Sequence, residues 1–95
     1  MQAIAKLIED TIDEINAFTP LERRIEKLPG TVIVGKGSAL DSLGVINFLT
    51  ALEEKVAVST GRSVSLLSED ALTNPDSPLH TIALIERFIS AQLAG

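Results

Sequence analysis

Apolar residues recur at steps of three and four over the first eighteen positions: Ile4, Ile8, Ile12, Ile15 and Phe18, with Leu7 beside them. Glu9, Asp10, Asp13 and Glu14 fall mainly on the other face, so the spacing predicts an amphipathic helix over Gln2 to Phe18. Thr19-Pro20-Leu21-Glu22 reads as a capping box with proline at the first helical position. It opens a short helix through Leu21, Ile25 and Leu28 that Pro29-Gly30 stops, and the pattern fits one kinked helix or two separate ones. Thr31-Val32-Ile33-Val34 is β-branched and apolar, but no second strand is evident to pair with it, so an extended, partly buried loop is expected. From Asp41 the helical spacing resumes with Leu43, Ile46, Leu49, Leu52 and Val56, widened by Phe48 and Ala51, and ends at Val58-Ser59-Thr60-Gly61. Ser68-Glu69-Asp70-Ala71-Leu72 has the form of one capped helical turn with acids at its N-terminus. Asn74-Pro75-Asp76-Ser77-Pro78 breaks the chain. Ser77 as N-cap and Pro78 as first residue then begin a last helix through Ile82, Ile85, Phe88, Ile89 and Leu93.

These elements predict an all-α fold, a small four-helix bundle with three major helices, a short third helix and a long first loop. With 95 residues the chain forms one domain, 1–95, too short for a doubly wound nucleotide fold or a TIM barrel. Eight Lys+Arg against thirteen Asp+Glu leave a net charge of -5, which argues against nucleic acid and anionic membranes as partners. There is no Tyr or Trp and only three Phe, so no base-stacking platform is expected. Without cysteine there is no disulfide, no thiolate zinc site and no thiol nucleophile. Glu9 and Asp10 interrupt the first apolar residues before a signal-peptide core forms, and no apolar run approaches the roughly 20 residues of a membrane span. A cytoplasmic monomer is the expectation.

The most informative stretch is Leu40-Asp41-Ser42-Leu43-Gly44-Val45-Ile46. A helix N-terminus leaves backbone N–H groups unpaired and favours negative charge. Asp41 and Ser42 are both good capping residues and could simply start the helix. Alternatively, Ser42 presents its hydroxyl there for modification by a phosphate-bearing group, with the anion near the helix N-terminus.

Here the chain resembles the acyl carrier protein family. The match runs over Leu40-Asp41-Ser42-Leu43-Gly44 and on through Ala51-Leu52-Glu53-Glu54-Lys55, and more loosely to the short helix near Ser68–Leu72 and the last helix. The resemblance implies a carrier, not an enzyme: a 4'-phosphopantetheine arm on the Ser42 oxygen, received from coenzyme A through a magnesium-dependent phosphopantetheinyl transferase. Acyl groups held on the arm's thiol as thioesters would pass between an acyl- or aminoacyl-activating ligase, a ketosynthase or an acyltransferase in fatty acid, polyketide or a dedicated biosynthetic pathway. By the same resemblance Asp41 caps the helix or contacts the transferase, and Leu43 lies at the docking edge with Ile46 and Asn47. Glu53 and Glu54 fall where family members present acids to basic partners. From spacing alone Leu43 is equally an ordinary core leucine, and the two glutamates equally a solvated face.

Members serving fatty acid synthesis usually carry acids at the positions that Gly44 and Asn47 hold here, while Arg23, Arg24, Lys27 and Lys36 put half of the positive charges in the first connection. Both departures weaken docking to a basic surface and point to a specialised carrier. An aminoacyl or peptidyl carrier, or a helical interaction module with no prosthetic group, are the alternatives. Gly30-Thr31-Val32-Ile33-Val34-Gly35-Lys36 has P-loop spacing, but Gly37 stands where a hydroxyl is needed and no strand precedes it. His80, the single histidine, is expected in the first turn of the last helix with a surface or packing role. The pairs Glu9-Asp10, Asp13-Glu14 and Glu69-Asp70 are expected on solvated faces, because adjacent helical residues diverge.

Overall fold

The computed structural model describes residues 4–94. Among them lie four α-helices: α1 (Ile4–Asn16), α2 (Ser42–Thr60), α3 (Glu69–Thr73) and α4 (Ile82–Ala94), with a 3-10 turn at Leu21–Arg23. The fold is all-α and small, as the spacing predicts. Gln2 and Ala3, where the first helix was expected to begin, lie outside the described residues. Among the described residues no helix is long and apolar enough to cross a membrane.

One core gathers the apolar stripes. α1 contributes Ile4, Leu7, Ile8 and Ile12, α2 contributes Val45, Phe48, Leu49, Leu52 and Val56, and α4 contributes Ile85 and Ile89. Each fully buried Leu, Ile or Phe contributes about 1.5–3 kcal/mol relative to exposure. In α2 the buried face is rotated from the expected stripe: Leu43 and Ile46 are exposed, and Val45 and Phe48 take the inward positions. Thr11 is buried between apolar neighbours and donates its hydroxyl to the Leu7 carbonyl at 2.8 Å. α2 stops at Gly61, whose φ of +73° accommodates the left-handed cap, with its N–H on the Ala57 carbonyl.

The expected helix over Leu21–Leu28 is largely absent. Only Leu21–Arg23 turn, without a side-chain cap, and Arg24 is already extended. Asn16 is the cause: its amide donates to the Ile25 carbonyl at 2.9 Å and accepts the Ile25 N–H at 2.8 Å. With both backbone groups of Ile25 satisfied sideways, that residue needs no helical partners, and its side chain is buried. Thr19, expected to cap this helix, instead donates its hydroxyl back to the Ile15 carbonyl.

The Thr31–Val34 segment does find a partner, one without strand character in its sequence. Val32 and Thr81 form an isolated antiparallel bridge. Ile33 N–H donates to the His80 carbonyl at 2.7 Å, Ile82 N–H to the Thr31 carbonyl and Ala83 N–H to the Pro29 carbonyl. Ile33 and Val34 are buried beneath this seam.

The last helix differs from its sequence pattern in two respects. α4 starts at Ile82, not Pro78, and Thr81 caps it, its hydroxyl accepting from Leu84 N–H and its carbonyl from Ile85 N–H. Ser77 is turned inward instead, accepting from Leu79 N–H and donating to the Ala71 carbonyl, so that Leu79 drops into the core. His80 therefore precedes α4. Its Nδ1 lies 2.7 Å from the Val34 carbonyl, which can only accept, so Nδ1 carries the proton.

Replacing Asn16 with alanine leaves both backbone groups of buried Ile25 unpaired. Urea unfolding is expected to show a loss of about 1–3 kcal/mol, whereas Ala17→Ser, at an exposed neighbour, stays within about 0.5 kcal/mol of the parent.

Candidate functional site

Residues 35–40 lead from the buried Val34 to the start of α2. The turn Gly35–Ser38 closes on Ser38 N–H to the Gly35 carbonyl, with Gly35 at φ +106° and Gly37 at φ +96°. A side chain on Gly35 would stand 3.2 Å from His80 Nδ1, so glycine is needed there for both backbone and space. Ser38 donates its hydroxyl to the Ile33 carbonyl and accepts Leu40 N–H, which directs the chain into Asp41.

Asp41 is the N-cap of α2. Its carboxylate accepts Gly44 N–H at 2.7 Å and its carbonyl accepts Val45 N–H at 2.9 Å. Ser42 and Leu43 are then the first and second helical residues, and helix geometry leaves their N–H groups without intrahelical acceptors. Ser42 is exposed, and so are Asp41, Leu43, Ile46 and Asn47. Leu43, at 66 % exposure, is no core leucine.

Gly44 sits in close quarters at the start of α2. A Cβ there would lie 3.2 Å from the Asp41 carboxylate and 3.2–3.3 Å from Leu40. A side chain there would require Leu40 and the Asp41 carboxylate to give by a few tenths of an ångström.

Two open clefts flank this helix start. One, of about 330 Å³, is lined by Ser42 together with Val34, Leu40, Val45, Ile46 and Leu72. The other, of about 390 Å³, lies towards the end of α1 and is lined by Ile15, Phe18, Pro20, Leu40, Asp41 and Asn47. Asp41 and Leu40 border both, so the Ser42 turn stands as a ridge between them.

The remaining predicted residues divide. Glu54 is exposed on α2. Glu53 is not a free surface acid: its carboxylate accepts Leu66 N–H at 2.7 Å and straps the α2–α3 connection, with Val64 and Leu66 buried beneath it. Gln92 holds the same connection from α4, exchanging two hydrogen bonds with the Ser65 backbone. Lys27 is paired with Asp13 at 2.9 Å, which reduces the exposed positive charge of the first connection. His80 is bonded to Val34 behind the cleft wall, and among the described residues no hydrogen bond links it to Ser42. Lys6 has its pKa raised by the hydrogen bond to Asp10 on the exposed far face of α1.

Phe18 was missed as a surface residue. The helical spacing carries it onto the α1 stripe, but α1 ends at Asn16 and the ring is 92 % exposed. Pro20 was the available signal, since the residues before a proline are biased out of the helix.

Asp41→Ala removes the cap and is expected to lower stability by about 1 kcal/mol, read by thermal or urea unfolding, while Asp41→Asn retains most of it. Compared with known proteins, the chain matches no family model, no curated protein and no solved structure.

Proposed function

We propose that this chain is an acyl carrier protein whose Ser42 bears a 4'-phosphopantetheine arm. The observation that supports this most is the presentation of Ser42: an exposed hydroxyl at the first residue of a 19-residue helix, behind a satisfied cap and beside an open cleft of mixed polar and apolar lining. The residues present suit the group. Asp41 occupies Gly44 N–H, so the N–H groups of Ser42 and Leu43 are left to face a phosphodiester oxygen, helped by the positive end of the helix dipole.

In the loading step the Ser42 oxygen attacks the pantetheine-side phosphorus of coenzyme A. A P–O bond to Ser42 forms, the P–O bond to the adenosine bisphosphate half breaks, and the Ser42 proton passes to a base of the transferase. When bound, the arm supplies a terminal thiol that holds acyl groups as thioesters. The chain's own part is mechanical. Asp41 fixes the helix start, the Gly35–Ser38 turn fixes Asp41, and Val34, Leu40, Ile46 and Leu72 offer apolar surface beside the attachment point. A tether raises the local concentration of cargo at a docked enzyme without new contacts. Exposed Leu43, Ile46, Asn47 and Glu54 form the edge that partner enzymes meet, and Gly44 and Asn47 in place of acids fit a dedicated acyl or aminoacyl route.

A helical interaction module with no prosthetic group would use the same exposed Leu43 and Ile46, and mass spectrometry separates the two. Incubation with coenzyme A, magnesium and a broad-specificity phosphopantetheinyl transferase is expected to add one phosphopantetheine to the intact chain, and none to Ser42→Ala. An unchanged mass, beside a control carrier that is modified, refutes the proposal.

A further inference from the structure

Phe18 has the highest exposure of any large apolar side chain among the described residues, ahead of Val58 at 83 % and Leu21 at 76 %. Its ring gains almost no burial from folding. The turn that carries it is nonetheless well braced. Ala17 N–H donates to Asp13, Phe18 N–H to Ile15 and Thr19 N–H to Asn16, all to carbonyls at 3.0–3.2 Å. The Thr19 hydroxyl donates to the Ile15 carbonyl at 2.7 Å, and Arg24 Nε donates to the Thr19 carbonyl at 3.2 Å. An aromatic ring on such a turn is held out into solvent by the fold.

Its surroundings say what it faces. Phe18 and Pro20 line the 390 Å³ cleft that also contains Asp41 and Gly44, at the cap of the helix presenting Ser42. Any macromolecule that reaches the Ser42 oxygen must cover the flanks of that helix start. One flank holds Phe18 and the other holds exposed Ile46, with exposed Leu43 next to Ser42 in the first turn of α2.

Charge is scarce in between. From Ser42 through Leu52, α2 has no ionisable side chain. The Asp41 carboxylate is engaged by Gly44 N–H, and the Glu53 carboxylate by Leu66 N–H. The first connection mixes exposed acids and bases, Glu22 and Glu26 beside Arg24, Lys27 and Lys36, and Lys27 is paired with Asp13. A partner that grips by a basic clamp finds few acids here, whereas one with an uncharged apolar recess finds three exposed side chains.

We infer that the enzyme modifying Ser42 docks by apolar contact, with Phe18 as an anchor in a hydrophobic recess of that enzyme opposite the start of α2. This rests on the carrier assignment and adds to it the chemistry of the transferase surface. Aromatic anchors of this kind carry a disproportionate share of interface energy, and apolar docking is weakly dependent on salt.

The test measures Ser42 modification kinetics with coenzyme A and a broad-specificity phosphopantetheinyl transferase. Phe18→Ala is expected to lower kcat/KM about tenfold, chiefly through KM, with an unchanged melting temperature because the ring is exposed. Phe18→Leu recovers most of the loss, and Val58→Ala, on the last turns of α2, matches the parent. Raising salt from about 0.05 to about 0.5 M changes the parent's kcat/KM by less than about threefold. A Phe18→Ala variant modified at the parent's rate, or a larger fall with salt, overturns the inference and leaves the carrier assignment standing. A parent chain that accepts no phosphopantetheine overturns the carrier assignment itself.

Discussion

The seam between residues 29–34 and 80–83 is the constraint on which the rest of the structure depends. Burying Ile33 and Val34 takes their backbone into an apolar interior, where unpaired N–H and C=O groups are costly. Both N–H groups donate to the His80 carbonyl, in the short stretch just before α4, while the Ile33 carbonyl accepts the Ser38 hydroxyl and the Val34 carbonyl the His80 ring; the bonds from Ile82 to Thr31 and from Ala83 to Pro29 extend the seam. Once made, the seam ties the first connection to the last helix. It also determines where the Gly35–Ser38 turn begins, and through Ser38 and Leu40 where α2 can start. His80 locks the arrangement by donating Nδ1–H to Val34 from the opposing segment.

At the start of α2 two demands compete. A tight cap needs the Asp41 carboxylate close to Gly44 N–H, and the approach of Leu40 needs space at the same residue. Glycine meets both, at the loss of intrinsic helix propensity and of any charge at that position. The same economy of charge runs along the helix to Leu52, so the surface around Ser42 is shaped chiefly by exposed apolar groups.

A domain of this size has a core of few layers and a small margin of stability. Irregular segments are therefore held by side-chain clamps: Asn16 on Ile25, Glu53 on Leu66, Gln92 on Ser65 and Ser77 on Ala71. Among the described residues no buried side-chain polar atom is left without a partner. These clamps consume polar residues that a surface reading assigns to solvent or to partners, and Glu53 is the clearest instance.

The start of α4 was not legible along the chain, whereas the existence and order of α1, α2, α3 and α4, the caps at Asp41 and Ser68 and the stop at Gly61 were. Each is set by local physics: helical periodicity, a short polar side chain before a helix, and glycine where φ turns positive. The Asp41-Ser42-Leu43 start was legible for the same reason. What the chain concealed is long-range. Whether Leu43 faces in or out depends on which face of α2 the other helices cover, and periodicity admits both phases. The partner of Thr31–Val34 lies some fifty residues away in a stretch with no strand pattern, so only folding brings the two together. Asn16, Glu53 and Ser77 likewise acquire their roles from backbone groups that arrive from elsewhere in the fold. Phe18 is displayed because the Asn16 clamp and Pro20 end the helix beneath it, a result of tertiary bonding that an apolar repeat cannot record.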